Sequence, residues 1–393
     1  MSSLSISIFG ATGSVGSTTI KIIRDNPSKF TVKVLTANNN IHQLIKLANE
    51  LNPEIICFGN NKDIKTVKDG VKNKKTKCVF GINGLIDCAN VKSDVVIAGI
   101  VGLAGLKPLI ESMKRTKKIC IANKECFVSA GSLIISEALK NNVKILPLDS
   151  EHSAIFQLLE NNDNEIEKIY LTASGGPFYG FSKEQLLNVK PQDAIKNPNW
   201  KMGKKISVDS ATMMNKGLEI IEAKHLFGIC ENKIKVLIHR QSIAHGVISF
   251  KNNTILGAFG RPDMIHPIKY AIYWPEPYSD SIQELDIDSL NNLTFENINE
   301  DKFPALRLVR LVLKQKSEEA NIILNSSNEV AVKAFLDKKI DFLDILVLVE
   351  EALEYVSKSL GGKKLNNNDN LDNILYLDNL ARIKTEELIK QRF

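Results

Sequence analysis

The sequence contains no Cys-x-x-Cys pair among its six cysteines, Cys57, Cys78, Cys88, Cys120, Cys126 and Cys230. Their scatter over expected strands, helices and element ends argues against both a disulfide framework and a zinc site, and marks most of them as small core residues. Also missing are a basic n-region, an apolar h-region and a small-residue cleavage site, because an alternating strand, Leu4 to Phe9, begins almost at once. No apolar run is long enough to span a bilayer, so the expectation is a cytoplasmic protein with no membrane partner. A clustered basic stripe is absent too. The net charge of +6 is spread over surface lysines, which suits a phosphorylated small molecule better than nucleic acid.

What is present is enough for two or three domains: 393 residues, 44% of them hydrophobic, without an internal repeat. From Leu4 to Leu148 short β-rich runs alternate with amphipathic segments, the pattern of a parallel sheet covered by helices on both faces. Expected strands are Leu4 to Phe9, Thr31 to Ala37, Glu54 to Phe58, Lys77 to Phe80, Val95 to Ala98, Lys118 to Ala122 and Val143 to Leu148. From Lys168 the pattern changes, with strands at Lys168 to Ala173, Lys235 to His239, His245 to Phe250 and Thr254 to Phe259. The last two flank Lys251-Asn252-Asn253, a hairpin signal that points to a partly antiparallel α+β sheet. Trp274-Pro275-Glu276-Pro277 and the polar stretch after it read as a linker. Helical periodicity at Phe303 to Lys314, Ser326 to Lys338, Asp341 to Ser357 and Leu371 to Gln391 suggests a small bundle, with Asn366-Asn367-Asn368 as a loop. The expected α/β organisation is an N-terminal Rossmann-type parallel sheet over residues 1–149, a central α+β catalytic domain over 150–273, a linker over 274–300 and a C-terminal helical bundle over 301–393.

Gly10-Ala11-Thr12-Gly13-Ser14-Val15-Gly16 directly follows the first strand and opens a helix. Glycines at this spacing let the backbone approach a pyrophosphate at a helix N-terminus; the alternative is an ordinary tight turn. The second strand ends Thr36-Ala37-Asn38-Asn39-Asn40, with no carboxylate to repel a 2′-phosphate and with amides able to donate to it, which favours NADPH over NADH. Another strand of this region ends in Asn123-Lys124-Glu125, where ligands collect in open α/β sheets.

Asp149-Ser150-Glu151-His152 also stands at a strand end. Two carboxylates at i and i+2 can share a hard cation, or Asp149 or Ser150 simply caps the next helix. In Ser207 to Glu219, a helix starting at Ser210 would put Asn215, Lys216 and Glu219 on one face and Ser210 at the dipole-positive end. That arrangement suits a phosphate on Ser210, Asn215 and Lys216, with Glu219 as a third carboxylate for the metal; a solvated polar face is the competing reading. Gly217 inside that helix hints at close packing. Ser174-Gly175-Gly176-Pro177 can lend a hydroxyl and N–H groups to the same phosphate, or be a plain Gly-Gly turn. Asn197 to Gly203, with Trp200 and Met202 between breakers, can form a lid or a surface loop whose Trp tucks into the core.

Together these segments closely resemble the 1-deoxy-D-xylulose 5-phosphate reductoisomerases, nearly end to end. The most specific pieces are GATGSVG at Gly10, NKE at Asn123, DSEH at Asp149, SGGPF at Ser174, the run from Pro198 to Ala223 and GRPDMIHPI at Gly260. The resemblance implies NADPH on Thr12, Gly13, Ser14, Val15, Asn40, Asn123, Glu125 and Gly203, with Asn38 and Asn39 beside its 2′-phosphate. It implies Mg²⁺ or Mn²⁺ on Asp149, Glu151 and Glu219. Lys124, Ser150 and Glu151 would engage the hydroxyketone end of a phosphorylated sugar, and Ser174, Ser210, Asn215 and Lys216 its phosphate. Asn197, Trp200 and Met202 would belong to the closing loop, and Lys124, Asp149, Glu151 and Glu219 would carry the catalysis. A homodimer is implied as well.

The chain departs from the family pattern in places. Asn197 replaces a histidine, and an amide cannot titrate near neutrality. Arg240 stands where proline is usual, and Asn38-Asn39 replace Gly-Lys. Two other readings compete: a two-domain NADP-dependent dehydrogenase without metal-assisted rearrangement, and a catalytically silent NADPH-binding regulator. The second expects the carboxylate and phosphate-binding residues to be eroded, yet Asp149, Glu151, Lys216 and Glu219 are all present.

Overall fold

The computed structural model of the chain describes residues 3–196, 203–278, 283–300, 303–315, 318–360 and 370–392. They fall into two compact units, the first comprising residues 1–126, 134–156 and 263–283, the second 127–133, 157–262 and 284–393.

The first unit is built on seven parallel strands: β1 (Leu4–Phe9), β2 (Phe30–Thr36), β3 (Ile55–Phe58), β4 (Lys77–Phe80), β5 (Val95–Ala98), β6 (Lys118–Ile121) and β7 (Lys144–Pro147). Their order is β4-β3-β2-β1-β5-β6-β7. Ile-Ile-Cys-Phe of β3 and Val-Val-Ile-Ala of β5 are buried at every position, as strands covered on both faces must be. The connecting helices are α1 (Ser14–Asp25), α2 (Ile41–Leu51), α3 (Ile64–Gly70), α4 (Gly81–Ala89), α5 (Leu106–Ser112) and α6 (Lys124–Lys140), followed by α7 (Ser150–Leu159). A later helix, Ile265–Tyr273 (α12 in chain order), returns to this unit and places Ile268, Ala271 and Ile272 in the same apolar cluster as Ile20, Ile23 and Phe30. Lys118 Nζ donates to the carbonyls of Ile272 and Trp274 at 2.5 and 2.6 Å, holding the end of that helix. The strand order reverses between β1 and β5, which puts a crevice at the C-terminal ends of the central strands, the place where open α/β sheets bind ligands.

The second unit carries a five-stranded mixed sheet of β8 (Ile166–Ala173), β9 (Ile234–Ile238), β10 (Ala244–Phe250), β11 (Ile255–Phe259) and β12 (Glu296–Asn297), ordered β11-β10-β8-β9-β12. Here β8 and β9 run parallel while β10 is antiparallel to β8 and β11. The hairpin expected around Lys251-Asn252-Asn253 is present, with Asn253 turning the chain at φ 67°. Its helices are α8 (Lys183–Leu186), α9 (Pro191–Ala194), α10 (Lys204–Ala211) and α11 (Met214–Phe227), and then α13 (Pro304–Lys314), α14 (Glu318–Leu336), α15 (Asp344–Ser359) and α16 (Leu371–Arg392). In α13, Pro304 opens the helix and Ala305, Leu308, Val309 and Val312 form a buried stripe at helical spacing. A Cβ on Gly217 of α11 would come within 2.7 Å of Val309 Cγ2, so the glycine permits the close helix approach that its position suggested.

Four cysteines, Cys57, Cys88, Cys120 and Cys126, are buried, Cys78 is partly covered and Cys230 is exposed, all of them free thiols. Burial pushes the Cys120 thiol up to about 12, which keeps it protonated and unreactive.

Candidate active site

Four segments of the first unit emerge at the C-terminal edge of the parallel sheet. After β1, Gly10 adopts φ +87°, and a Cβ there would lie 2.6 Å from the Gly99 carbonyl oxygen. A Cβ on Gly16 would lie 2.3 Å from the Gly10 oxygen, so the first turn of α1 can seat against the loop only with glycine at both places. Gly13 is the N-cap of α1 and supplies no side-chain acceptor, which leaves the capping of the helix's first N–H groups to a ligand or solvent. Thr12 is half-buried, Val15 likewise, and Gly13 and Ser14 are exposed. The turn therefore has the form expected of a pyrophosphate cradle.

After β2, Asn38, Asn39 and Asn40 are all exposed; one of the three side-chain amides, that of Asn40, already has structural work, and Asn38 is held through its backbone. Asn40 Oδ1 accepts from the Gln43 backbone N–H at 3.3 Å and caps α2. The Asn38 carbonyl accepts from Gly59 N–H at 3.1 Å.

After β6, Asn123 caps α6 by accepting from Cys126 N–H at 3.1 Å, while its amide donates to the carbonyls of Ile100 and, at 2.8 Å, Gly102. Asn123 thus fixes the loop Gly99-Ile100-Val101-Gly102 that follows β5 and presents Val101 at 64% exposure. Glycines bound this loop at both ends, Gly99 and Gly102, the latter at φ +69°. Lys124 and Glu125, next along, are 7% and 5% exposed.

After β7 comes Asp149. Lys124 Nζ sits 2.5 Å from Asp149 Oδ2, with both side chains nearly buried, and His152 Nδ1 lies 3.3 Å from Asp149 Oδ1. Ser150 Oγ donates to the Glu151 carboxylate. Asp149, a partly covered carboxylate beside an ammonium, is an oxygen donor of the kind a hard divalent cation takes, and Glu151 stands two residues on.

In the second unit the segment around Ser210 differs from expectation. No helix starts at Ser210: it lies in the last turn of α10, toward the dipole-negative end, and α11 begins only at Met214. The break between them is Met213 in the left-handed region at φ 64°, supported by Thr212, whose hydroxyl accepts from Met214 N–H at 3.2 Å. Asn215 and Lys216 then occupy the dipole-positive first turn of α11, which favours an anion. The shared face holds as expected: Asn215 Nδ2 donates to Glu219 Oε1 at 2.6 Å, and Lys216 Nζ pairs with Glu219 Oε2. Lys216 and Glu219 are 4% and 1% exposed. A carboxylate offers about four lone-pair directions, so these two donors do not by themselves exhaust Glu219.

Ser210 is held in place by its neighbour. Asp209, 1% exposed, accepts from Asn328 Nδ2 of α14 and from Lys205 Nζ, both at 2.8 Å. No pattern in the sequence singled out Asn328 as a support for α10. The turn Ser174-Gly175-Gly176 follows β8, with Gly175 and Gly176 at φ +81° and +69°, and a Cβ on Gly176 would lie 2.6 Å from the Ser210 carbonyl oxygen. The Gly-Gly turn and Ser210 are therefore in contact. Gly203 is the exposed N-cap of α10. Asn197, Trp200 and Met202, like Asn366, Asn367 and Asn368, lie outside the described residues.

Three family descriptions match the chain: "1-deoxy-D-xylulose 5-phosphate reductoisomerase" over residues 6–131, its C-terminal domain over 145–227, and "DXP reductoisomerase C-terminal domain" over 259–384. A 1-deoxy-D-xylulose 5-phosphate reductoisomerase of Clostridium perfringens (strain 13) is 41% identical over 381 residues, 96% of this chain and 97% of the relative. The chain belongs to the 1-deoxy-D-xylulose 5-phosphate reductoisomerase family. A Wolbachia pipientis reductoisomerase is 40% identical over 98% of both chains. Among solved structures, the Zymomonas mobilis reductoisomerase in complex with NADPH is similar at a TM-score of 0.89 and 36% identity, covering 99% of each chain. A reductoisomerase in complex with NADPH, fosmidomycin and magnesium is similar at a TM-score of 0.93 and 38% identity, covering 98% of each. Within a reductoisomerase, the glycine turn, the Lys124–Asp149 pair and the Lys216–Glu219 pair fall on the segments that carried the resemblance.

Proposed function

We propose that this chain rearranges and reduces 1-deoxy-D-xylulose 5-phosphate to 2-C-methyl-D-erythritol 4-phosphate through the residue assignments that follow. It is an NADP-dependent, metal-dependent oxidoreductase of isoprenoid precursor synthesis. The observation that supports the assignment is the nearly buried Lys124–Asp149 pair at the same sheet edge as the glycine turn, a carboxylate suited to a cation and a turn suited to a pyrophosphate on one edge of one sheet.

Thr12, Gly13, Ser14 and Val15 hold the pyrophosphate, with unpaired N–H groups at the start of α1 as donors. Asn38, Asn39 and Asn40 lie toward the 2′-phosphate, and Asn123, Glu125 and Gly203 complete the cofactor's surroundings. Asp149, Glu151 and Glu219 ligate Mg²⁺ or Mn²⁺. When bound, the metal supplies Lewis acidity toward oxyanions developing on the substrate and NADPH supplies the hydride.

The chain's own side chains orient the substrate. Lys124, fixed against Asp149, presents its ammonium to the hydroxyketone end together with Ser150 and Glu151. Ser174, Ser210, Asn215 and Lys216 take the phosphate, whose binding energy, remote from the reacting carbons, is used to orient them.

We further propose that the protein works in the cytoplasm as a homodimer. Among the described residues no helix is long and apolar enough to cross a membrane. The sheet of the second unit ends on β11, where Ile255 and Phe259 are 67% and 47% exposed, an edge that a second copy could cover.

The test is to follow nicotinamide oxidation by purified protein with 1-deoxy-D-xylulose 5-phosphate, NADPH and Mg²⁺ or Mn²⁺, with and without chelator. Turnover that chelator abolishes and added metal restores is expected. Chelator-insensitive reduction of another carbonyl compound would instead favour a simple NADP-dependent dehydrogenase.

A further inference from the structure

Arg240 follows β9, and its guanidinium is committed to the Ser174-Gly175-Gly176 turn. Nη1 donates to the Ser174 carbonyl at 2.5 Å and to the Gly176 carbonyl at 3.0 Å. The guanidinium carbon stands 5.6 Å from the centre of the Tyr179 ring, within cation–π range. Tyr179 is itself fixed: its hydroxyl donates to Glu296 Oε2 at 3.0 Å and its ring stacks on Phe303 at 6.0 Å and 10°. Gly175 is bare on this side because a Cβ would lie 2.8 Å from the Tyr179 ring and 3.2 Å from Arg240 Nη1. Arg240, Tyr179 and Glu296 thus form a brace under one face of the turn.

The brace has an electrostatic consequence. A peptide carbonyl is the negative end of its dipole, and two carbonyls of one short turn drawn to a single cation are carbonyls kept away from an anion. Ser174 Oγ meanwhile accepts from Gly176 N–H at 3.3 Å, which ties the hydroxyl to the turn's own backbone. The guanidinium also places a positive charge beside the turn.

We infer that Arg240 is a positioning residue for the phosphate end of the substrate, holding the Ser174–Gly176 carbonyls on its own side so that the opposite face of the turn is left to the dianion. This rests on the assignment of Ser174 to the substrate phosphate. A proline at position 240, as in the family pattern, has no donor and could make neither bond. This chain therefore holds the turn by a side-chain device of its own.

The experiment compares Arg240→Gln, Arg240→Lys and Ser174→Ala, measuring KM and kcat for 1-deoxy-D-xylulose 5-phosphate, KM for NADPH, and the inhibition constant of inorganic phosphate competing with the sugar. For Arg240→Gln the sugar KM and the phosphate inhibition constant should rise together, roughly tenfold, with kcat and the NADPH KM within about twofold of the parent. Arg240→Lys should rescue only partly, since a point charge lacks the planar fork; full rescue by lysine would mean that charge alone matters and would overturn the positioning role. If Ser174→Ala raises the sugar KM while Arg240→Gln does not, the inference fails and the phosphate assignment stands. If Ser174→Ala leaves the KM alone, the assignment itself is wrong. A fall in kcat accompanied by a rise in the NADPH KM for Arg240→Gln, the mark of general structural damage, also overturns the inference.

Discussion

The Lys124 ammonium lies 2.5 Å from the Asp149 carboxylate, and only 9% and 12% of the two side chains reach solvent. Each therefore neutralises a charge that burial would otherwise penalise, and neither can be replaced without exposing the other to that penalty. Asp149→Asn keeps the shape and removes the charge. Turnover is expected to fall roughly a hundredfold or more, Mn²⁺ binding measured by titration calorimetry to weaken, and NADPH affinity to persist. Unchanged Mn²⁺ affinity would remove Asp149 from the ligand set.

Glu219 makes the corresponding prediction in the second unit. Glu219→Gln leaves the Lys216 ammonium, 4% exposed, without its charged partner, a change that costs about 3–5 kcal/mol when such pairs are broken. A lower melting temperature and loss of metal-dependent turnover should appear together, again with NADPH binding retained. Full activity in this variant would refute the metal assignment.

The nucleotide turn can be tested without touching a charge. The added methyl of Gly16→Ala would lie 2.3 Å from the Gly10 oxygen, so loop and helix must separate. Overpacking of this kind costs about 1–3 kcal/mol, and here it also displaces the N–H groups assigned above to the pyrophosphate. NADPH affinity, followed by fluorescence, should drop more than the melting temperature alone would suggest.

A pH effect follows from His225. Burial, with a smaller contribution from Lys224, pushes its imidazole from an ordinary 6.5 down to about 4. Between those values the unfolded chain binds the proton and the folded chain does not, so stability is fully present above pH 6.5 and is lost as pH falls toward 4. The contribution is of order 3 kcal/mol by linkage. Urea unfolding of His225→Phe across this window should show a shallower decline than the parent; an equal slope would assign the acid sensitivity elsewhere.

Much of this was legible because it is local. Strand patterns, the glycine turn, the hairpin around Asn253 and the Asn215/Lys216/Glu219 face all depend on spacings of a few residues, and chain geometry sets those directly. The difference at Ser210 has a physical reason: nothing in Ala211-Thr212-Met213-Met214 is a strong breaker, and the break rests on Met213, 2% exposed and left-handed, with the Thr212 hydroxyl bonded across it. Asn328 beneath Asp209 and Arg240 beneath the Gly-Gly turn join residues 119 and 64 to 66 positions apart, and no periodicity reports such pairs. The return of Ile268, Ala271 and Ile272 to the first unit's core is equally silent, since an amphipathic helix does not say which sheet it will cover.

That return has a consequence for biogenesis. The apolar cluster of the first unit stays open until α12 has been synthesised and has left the ribosome, by which time most of the second unit's sheet has also been made. A nascent chain stopped after β7 would expose Ile20, Ile23 and Phe30 with nothing of its own to place over them, and would be a natural client for chaperones.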